Sequence, residues 1–287
     1  MLSPRKDPRF ASHALADKLT FYSCCRDAEI PTPAVLLAIT EGVVSYFNGT
    51  RRTIPRGDLL VKSMHTAKSC EVRLWQADEE DWTSDRQSLC ADELIQSLID
   101  RSMSGALIVQ RAVEAHPALR GLGTGALPTV RAITTRKPRG RPKLVDAALR
   151  LPMKIGKAWE DLRQIDLGVP IDLVTGILGG ASDPTEGLDS NVHTHHPISG
   201  VPIRGCPLPF WTETIALAER AHARFSGHAV IGWDIAILSS GPSVIDGNSF
   251  PGVEVDYPPG RKRPGTTGSS TFTALQTFLQ RRGDNRL

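Results

Sequence analysis

The run from Ala229 to Tyr257, AVIGWDIAILSSGPSVIDGNSFPGVEVDY, constrains this chain more than any other. Two of its stretches, Ala229–Leu238 and Val244–Asn248, alternate side-chain character with the period of a strand. Between them Ser239, Ser240, Gly241, Pro242 and Ser243 have the composition of a tight turn. Pairing Leu238 with Val244 across that turn sets Asp234 opposite Asn248, with Asp246 diagonal to the pair. Strand alternation then brings all three to one face. Gly232 and Ala236 share this face, whereas Ile231, Trp233, Ile235 and Ile237 lie on the other and belong against a core. Two carboxylates and an amide converging with no cation beside them would repel. A hard divalent cation with oxygen ligands, Mg²⁺ by default, relieves that repulsion. A plain hairpin with solvated acids is the other reading of a D…D-x-N pattern taken alone.

The 287 residues suffice for one large domain or two lobes, and a 40% hydrophobic content supports a sizeable core. A formal net charge of +3 with nearly balanced acids and bases gives no case for nucleic acid as the partner of the whole chain, although small polyanions fit. The cysteines, Cys24, Cys25, Cys70, Cys90 and Cys206, are odd in number and contain no C-x-x-C pair. Neither a disulfide framework nor a zinc site is indicated, and a reduced cytoplasmic setting is expected. The N-terminus MLSPRKDPRF lacks an apolar signal core, and no run reaches the roughly 20 apolar residues needed to span a bilayer.

Along the chain, the spacing of Leu15, Leu19 and Tyr22 predicts a helix over 13–26, closed off by Pro31 and Pro33. Strands are expected at Pro33–Ala38, Asp58–Lys62 (ending on Lys62) and Ala106–Gln110, with a helix at Asp92–Met103 and a polar loop over Trp82–Asp92. Val130–Thr135 and Leu144–Arg150 read as paired strands. The basic run between them, Arg136 to Lys143, contains R-G-R-P and resembles a minor-groove arm, but it has the length and composition of a hairpin turn. Gly168–Leu178 reads as a hairpin turning at Thr175-Gly176, and 179–190 as a polar loop. His193, His195 and His196 invite a zinc reading, yet no cysteine or acid stands at ligand spacing. A helix is expected at Thr212–Ala223, capped by Thr212, with a basic loop at 260–270 and a last helix at 271–282.

Three blocks, G-W-D…V-I-D-G-N, P-T-V-R-A-I-T and H-P-I-S-G…G…P-F-W, together with D-K-L…I-P-T-P near the start, resemble the sugar-transfer-associated branch of the ATP-grasp enzymes. The resemblance implies an α+β ATP-grasp fold in which two α/β lobes with mainly antiparallel sheets clasp a nucleotide. An arm would occupy 1–13, a first lobe with a phosphate-covering hairpin 14–117, and a second lobe with the metal-binding hairpin 118–287. It further implies ATP and one or two Mg²⁺ ions, the metal held by Asp234, Asp246 and Asn248. Asp246 stands where the family usually has a glutamate. Lys62 and Lys68 would touch the nucleotide phosphates, Gln110 would lie beside the base, the Val113 main chain would meet adenine and Glu114 the ribose. Arg131 and Arg150 would be the catalytic phosphate contacts, alongside Lys62. The covering hairpin is normally glycine-rich, but no glycine occurs between Gly57 and Gly105, leaving His65, Thr66, Lys68 and Ser69 as side-chain donors. The implied activity joins a small-molecule carboxylate to an amine or other nucleophile through an acyl phosphate. A small-molecule kinase and a catalytically impaired nucleotide-binding module are the alternatives. Membrane and nucleic acid are not expected partners, and a homo-oligomer is compatible with the chain.

Overall fold

The computed structural model describes residues 14–47, 49, 53–65, 72–84, 87–123, 126–137, 140–152, 166–182 and 192–249. These build two antiparallel sheets. The first contains β1 (Val35–Thr40), β2 (Val43–Tyr46), β3 (Leu59–Ser63), β4 (Arg73–Ala77), β5 (Trp82–Ser84), β6 (Gln87–Leu89) and β7 (Leu107–Arg111), in the order β2-β1-β7-β3-β4-β5-β6. The second contains β8 (Thr129–Thr135), β9 (Lys143–Pro152), β10 (Asp166–Pro170), β11 (Val230–Leu238) and β12 (Gly241–Asn248), in the order β10-β9-β8-β11-β12. Helices α1 (Lys18–Asp27), α2 (Ala91–Ser102), α3 (Pro117–Arg120) and α4 (Trp211–Arg224) complete the described elements, an α+β arrangement as expected. Among the described residues no helix is long and apolar enough to cross a membrane.

Each sheet buries one face under a helix. Helix α2 starts at Cys90, where the Glu93 carboxylate accepts from the Cys90 N–H at 3.0 Å. Its Leu94 and Leu98 pack with Leu37, Ile39, Trp75 and Trp82 of the first sheet. Helix α4 places Leu217, Ala218 and Ala221 against Val130, Ala132, Trp233 and Ile235 of the second. It begins one turn position earlier than expected, after Phe210 in the left-handed region at φ 55°, with no side-chain cap. Thr212 is therefore inside the helix, not its cap.

The two sheets are joined by helix α1, whose start is fixed by the Thr20 N–H donating to Asp17 Oδ1 at 2.6 Å. Phe21, Cys24 and Cys25 lie in the core of the second sheet, while Tyr22 packs with Val35 and Ile108 of the first. Phe21 stacks on Phe225 at 5.4 Å between ring centroids, and Phe225 meets Trp233 at 5.7 Å. Burial pushes the Cys25 thiol up to about 12, so it is an inert core group. Main-chain bonds tie the same seam: Val244 N donates to Pro31 O at 2.8 Å and His116 N to Ile237 O at 2.7 Å.

Several expectations change. The connection after β1 holds the short strand β2, and the polar loop over 82–92 contains β5 and β6, whose Trp82 is buried. The basic run does connect the paired strands β8 and β9. Arg136 is tied back there, donating from Nε to Gly140 O at 3.0 Å and from Nη1 to Ser226 O at 3.1 Å. The turn at Thr175-Gly176 is present, with Asp172 Oδ1 accepting from Thr175 N at 2.8 Å and Gly176 at φ 73°. The expected loop at 260–270, the helix at 271–282, and most of the covering hairpin and of the 179–190 loop lie outside the described residues.

Because Phe225 joins helix α1 to the Trp233 strand, Phe225→Ala is expected to lower stability by about 3–5 kcal/mol. The loss is read from the urea midpoint of the full chain. A loss below about 1 kcal/mol would show that this aromatic cluster does not anchor the helix.

Candidate active site

The hairpin β11–β12 forms, but with a different register. Leu238 pairs with Gly241 around a two-residue turn, and Ile235 pairs with Val244. The ladder then skips Ile245, so that Asp234 faces Asp246 and Gly232 faces Asn248. The bulge has a clear physical use. Val244 is fully buried with Ile235 in the core, and without an extra residue Asp246 and Asn248 would follow it inward. Skipping Ile245 reverses the phase and returns both polar side chains to the face of Asp234. Asn248 is thus diagonal to Asp234, with Nδ2 3.4 Å from Asp234 Oδ2, and the directly opposed partner is Asp246. Gly241 adopts φ 117° at the turn. Gly247 admits no side chain, since a Cβ there would stand 2.8 Å from the Trp233 ring and 2.9 Å from Leu15.

The neighbouring strands supply cations to the same face. Arg131 on β8 is in register with Asp234, and its Nε lies 3.0 Å from Asp234 Oδ1. Arg150 on β9 reaches the same oxygen with Nη1 at 3.9 Å. These side chains are largely enclosed, 12% exposed for Arg131, 24% for Arg150 and 17% for Asp234. Asp234 Oδ1 is itself buried and makes no hydrogen bond of proper angle, so its contact with Arg131 is ionic. Asp246 Oδ1 accepts from Gly247 N at 2.9 Å.

Lys62 comes from the other sheet, near the end of β3, with only 8% of its surface exposed. Burial lowers its pKa, the Asp246 carboxylate pulls it back up, Lys18 pushes it down and Asp234 pulls it up. One electrostatic site therefore spans both sheets. Burial likewise raises the Asp234 carboxyl. Arg131 and Arg150 oppose that rise, Asp246 adds to it and Lys62 opposes it. Lys18 enters because its N–H donates to Met64 O at 3.2 Å, setting the start of α1 beside the exit of β3.

The sequence model of the family described as sugar-transfer associated ATP-grasp matches residues 1–261. The chain belongs to this family. No curated protein matches it in sequence. Among solved structures, D-alanyl-alanine synthetase A from Vibrio cholerae is similar at 13% identity and TM-score 0.52, over 94% of this chain and 66% of that one. D-alanine–D-alanine ligase from Bacillus anthracis is similar at 12% identity and TM-score 0.47, over 96% of this chain and 71% of that one. N5-carboxyaminoimidazole synthetase from Staphylococcus aureus, solved with ADP, is similar at 10% identity and TM-score 0.46, over 84% and 46%. The first of these likenesses shows the ATP-grasp fold. The chain spans less than two thirds of the length of the D-alanyl-alanine and N5-carboxyaminoimidazole synthetases it matches.

Of the residues expected from sequence, this ATP-grasp chain gathers Lys62, Arg131, Arg150, Asp234, Asp246 and Asn248. Of the others, Gln110 lies on β7, and Val113 and Glu114 on the connection that follows it. The Gln110 amide is buried and donates to Pro33 O at 3.2 Å. Glu114 is 83% exposed and pairs with Arg120 at 2.9 Å. Val113 lines a groove of about 640 Å³ with Pro33, Leu217, Arg220 and Pro242, at the turn end of the hairpin and apart from Asp234. Lys68 lies outside the described residues. Asp146, not among the residues expected from sequence, shares the face of Arg150 in a row with Ile133, Gly232 and Asn248 and is 9% exposed. Its four-residue offset from Arg150 on one strand was the available signal.

Whether this set suits a metal can be judged from its donors. Asp234, Asp246 and Asn248 offer oxygens alone, and one of them is a buried carboxylate oxygen without a hydrogen bond, which suits a hard cation such as Mg²⁺. The histidines do not assemble a zinc site. His196 is 1% exposed, and its Nδ1 accepts from Ile198 N at 3.3 Å and Ser199 N at 3.2 Å, a turn-shaping role. Among the described residues no group of three His, Cys, Asp or Glu side chains is placed to hold a metal.

A buried lysine held below its ordinary pKa costs stability at neutral pH, because the unfolded chain binds the proton more readily. Stability of the wild type should climb as pH rises from the folded pKa of Lys62 towards the unfolded 10.5. Lys62→Met should therefore raise the urea midpoint at pH 7.5, with the gain shrinking as pH approaches that limit. An equal or lower midpoint at pH 7.5 would show that the carboxylates outweigh burial.

Proposed function

We propose that this chain is an ATP- and Mg²⁺-dependent ligase that joins a small-molecule carboxylate to an amine or other nucleophile. The observation that carries the reading is the convergence of Lys62 from one sheet with Arg131 and Arg150 from the other around two opposed carboxylates. A cleft with three cations from two lobes suits a triphosphate, and the lobes are taken as 14–117 and 118–287. The fold likeness to D-alanyl-alanine synthetase A fits this reading.

In the first half-reaction an oxygen of the acid attacks the γ-phosphorus, the bond to the β,γ-bridging oxygen breaks and ADP leaves. The nucleophile then attacks the acyl carbon and phosphate departs with the bonding pair. Lys62 and Arg131 hold the non-bridging oxygens in line, and Arg150 steadies the transferred group. Lys68 would add a cation from the covering hairpin. Val113 presents main-chain groups to the base and Glu114 a carboxylate to the ribose, with Gln110 fixing the connection through Pro33. Asp234, Asp246 and Asn248 would hold Mg²⁺, which when bound would offset the charge gathering on the phosphates. The setting is cytoplasmic.

The test is mass analysis of products after incubation with ATP, Mg²⁺ and pooled acids and amines. A new amide with stoichiometric ADP and phosphate is expected. A stable phosphorylated compound would move the assignment to a kinase. ADP binding without turnover would favour the impaired module that the glycine-free lid suggests. Asp234→Asn is expected to lower ADP release by roughly 100-fold or more. Unchanged release in that variant would remove the hairpin from the reaction.

A further inference from the structure

Asp234 Oδ1 is claimed by a guanidinium in this fold. Arg131 Nε stands 3.0 Å from it and Arg150 Nη1 3.9 Å, on strands whose register fixes both side chains towards the hairpin. A divalent cation bound through the same oxygen would meet Arg131 at repulsive range. The wider field points the same way. Arg131, Arg150 and Lys62 all act on Asp234, with Asp246 the one carboxylate that acts on it beside them, so cations outnumber carboxylates around the oxygen a metal would need. Such a cluster disfavours a bare cation and favours an anion.

We propose that Arg131 and the metal compete for Asp234 Oδ1, so that the cation enters only with an anionic ligand that draws the guanidinium away. This rests on the nucleotide-site reading above and adds the order of assembly to it. Arg131 alternates between two anionic partners: the carboxylate when no polyanion is present, and phosphoryl oxygens when one is. A guanidinium suits this exchange, because its donors fan out in a plane and its charge is permanent. Binding of nucleotide and metal is then mutually reinforcing, and by linkage the factor is the same from either side.

The experiment titrates the full chain with Mn²⁺, following free Mn²⁺ by its electron paramagnetic resonance signal, with and without ADP. Wild type alone is expected to bind Mn²⁺ at least tenfold more weakly than Arg131→Gln alone, and ADP should strengthen binding to wild type more than to the variant. Arg150→Gln, whose partner lies farther from Oδ1, should give a smaller gain, and Asp234→Asn combined with Arg131→Gln should abolish it. Far-ultraviolet circular dichroism establishes that each variant is folded. If Arg131→Gln is misfolded, the comparison of wild type with Arg150→Gln, both without ADP, still decides. Equal Mn²⁺ affinity of wild type and a folded Arg131→Gln, or, where that variant is misfolded, of wild type and Arg150→Gln, would overturn the competition. Tighter Mn²⁺ binding by Arg131→Gln with no effect of ADP on either protein would uphold the competition and sink the nucleotide reading instead.

Discussion

The carboxylate of Asp234 is the group on which this site turns. An ionised acid withdrawn from water costs several kcal/mol unless charges and dipoles replace the solvent. Here the replacement comes from three separate chain segments: Arg131 from β8, Arg150 from β9 and Lys62 from the opposite sheet. None of these is local to the hairpin in sequence. The site therefore exists only in the folded molecule, and its charge balance depends on the spacing of the two sheets.

That spacing is fixed by few elements. Helix α1 divides its side chains between the two cores, Phe21 and Cys25 to one and Tyr22 to the other. The strand-like segment before β1 bonds the edge of the hairpin through Pro31, and the connection after β7 bonds it through His116. Gln110 adds a side-chain tie to Pro33. The bonds through Pro31, His116 and Gln110 meet near the turn end of the hairpin, whereas helix α1 packs by Phe225 on Trp233, beside the charged groups.

Much of this was legible in the chain. The hydrophobic alternation of Ile231, Trp233, Ile235 and Ile237 assigned the faces of β11 correctly, because a strand with one buried face allows no slip. The register was not legible. A five-residue turn and a two-residue turn place the same residues differently, and the bulge at Ile245 is decided by the need to bury Val244, which depends on a core the sequence does not display. Strands β5 and β6 were missed because each has three residues, too short for periodicity to show. The Gln110 amide looked available for a ligand since its partner Pro33 stands 77 positions away. The Thr212 cap failed because Phe210 supplies a left-handed turn that its residue type does not advertise.

The register also bears on the aspartate at 246, where the family usually carries a longer acid. In a directly opposed pair the two Cβ atoms stand about 4.5–5.5 Å apart, whereas a diagonal partner is about 7–8 Å away. Had Asp246 been diagonal to Asp234, as the pairing of Leu238 with Val244 would have it, an aspartate would be short of any point that Asp234 reaches. The bulge makes it the opposed partner instead, and the missing methylene is compensated by position. The same step leaves Asn248 diagonal, where its amide still comes to 3.4 Å of Asp234 Oδ2. On the proposed reading, then, the shorter acid is matched to the irregularity of its strand, and a lengthened side chain at 246 would crowd the oxygen that Arg131 already contests.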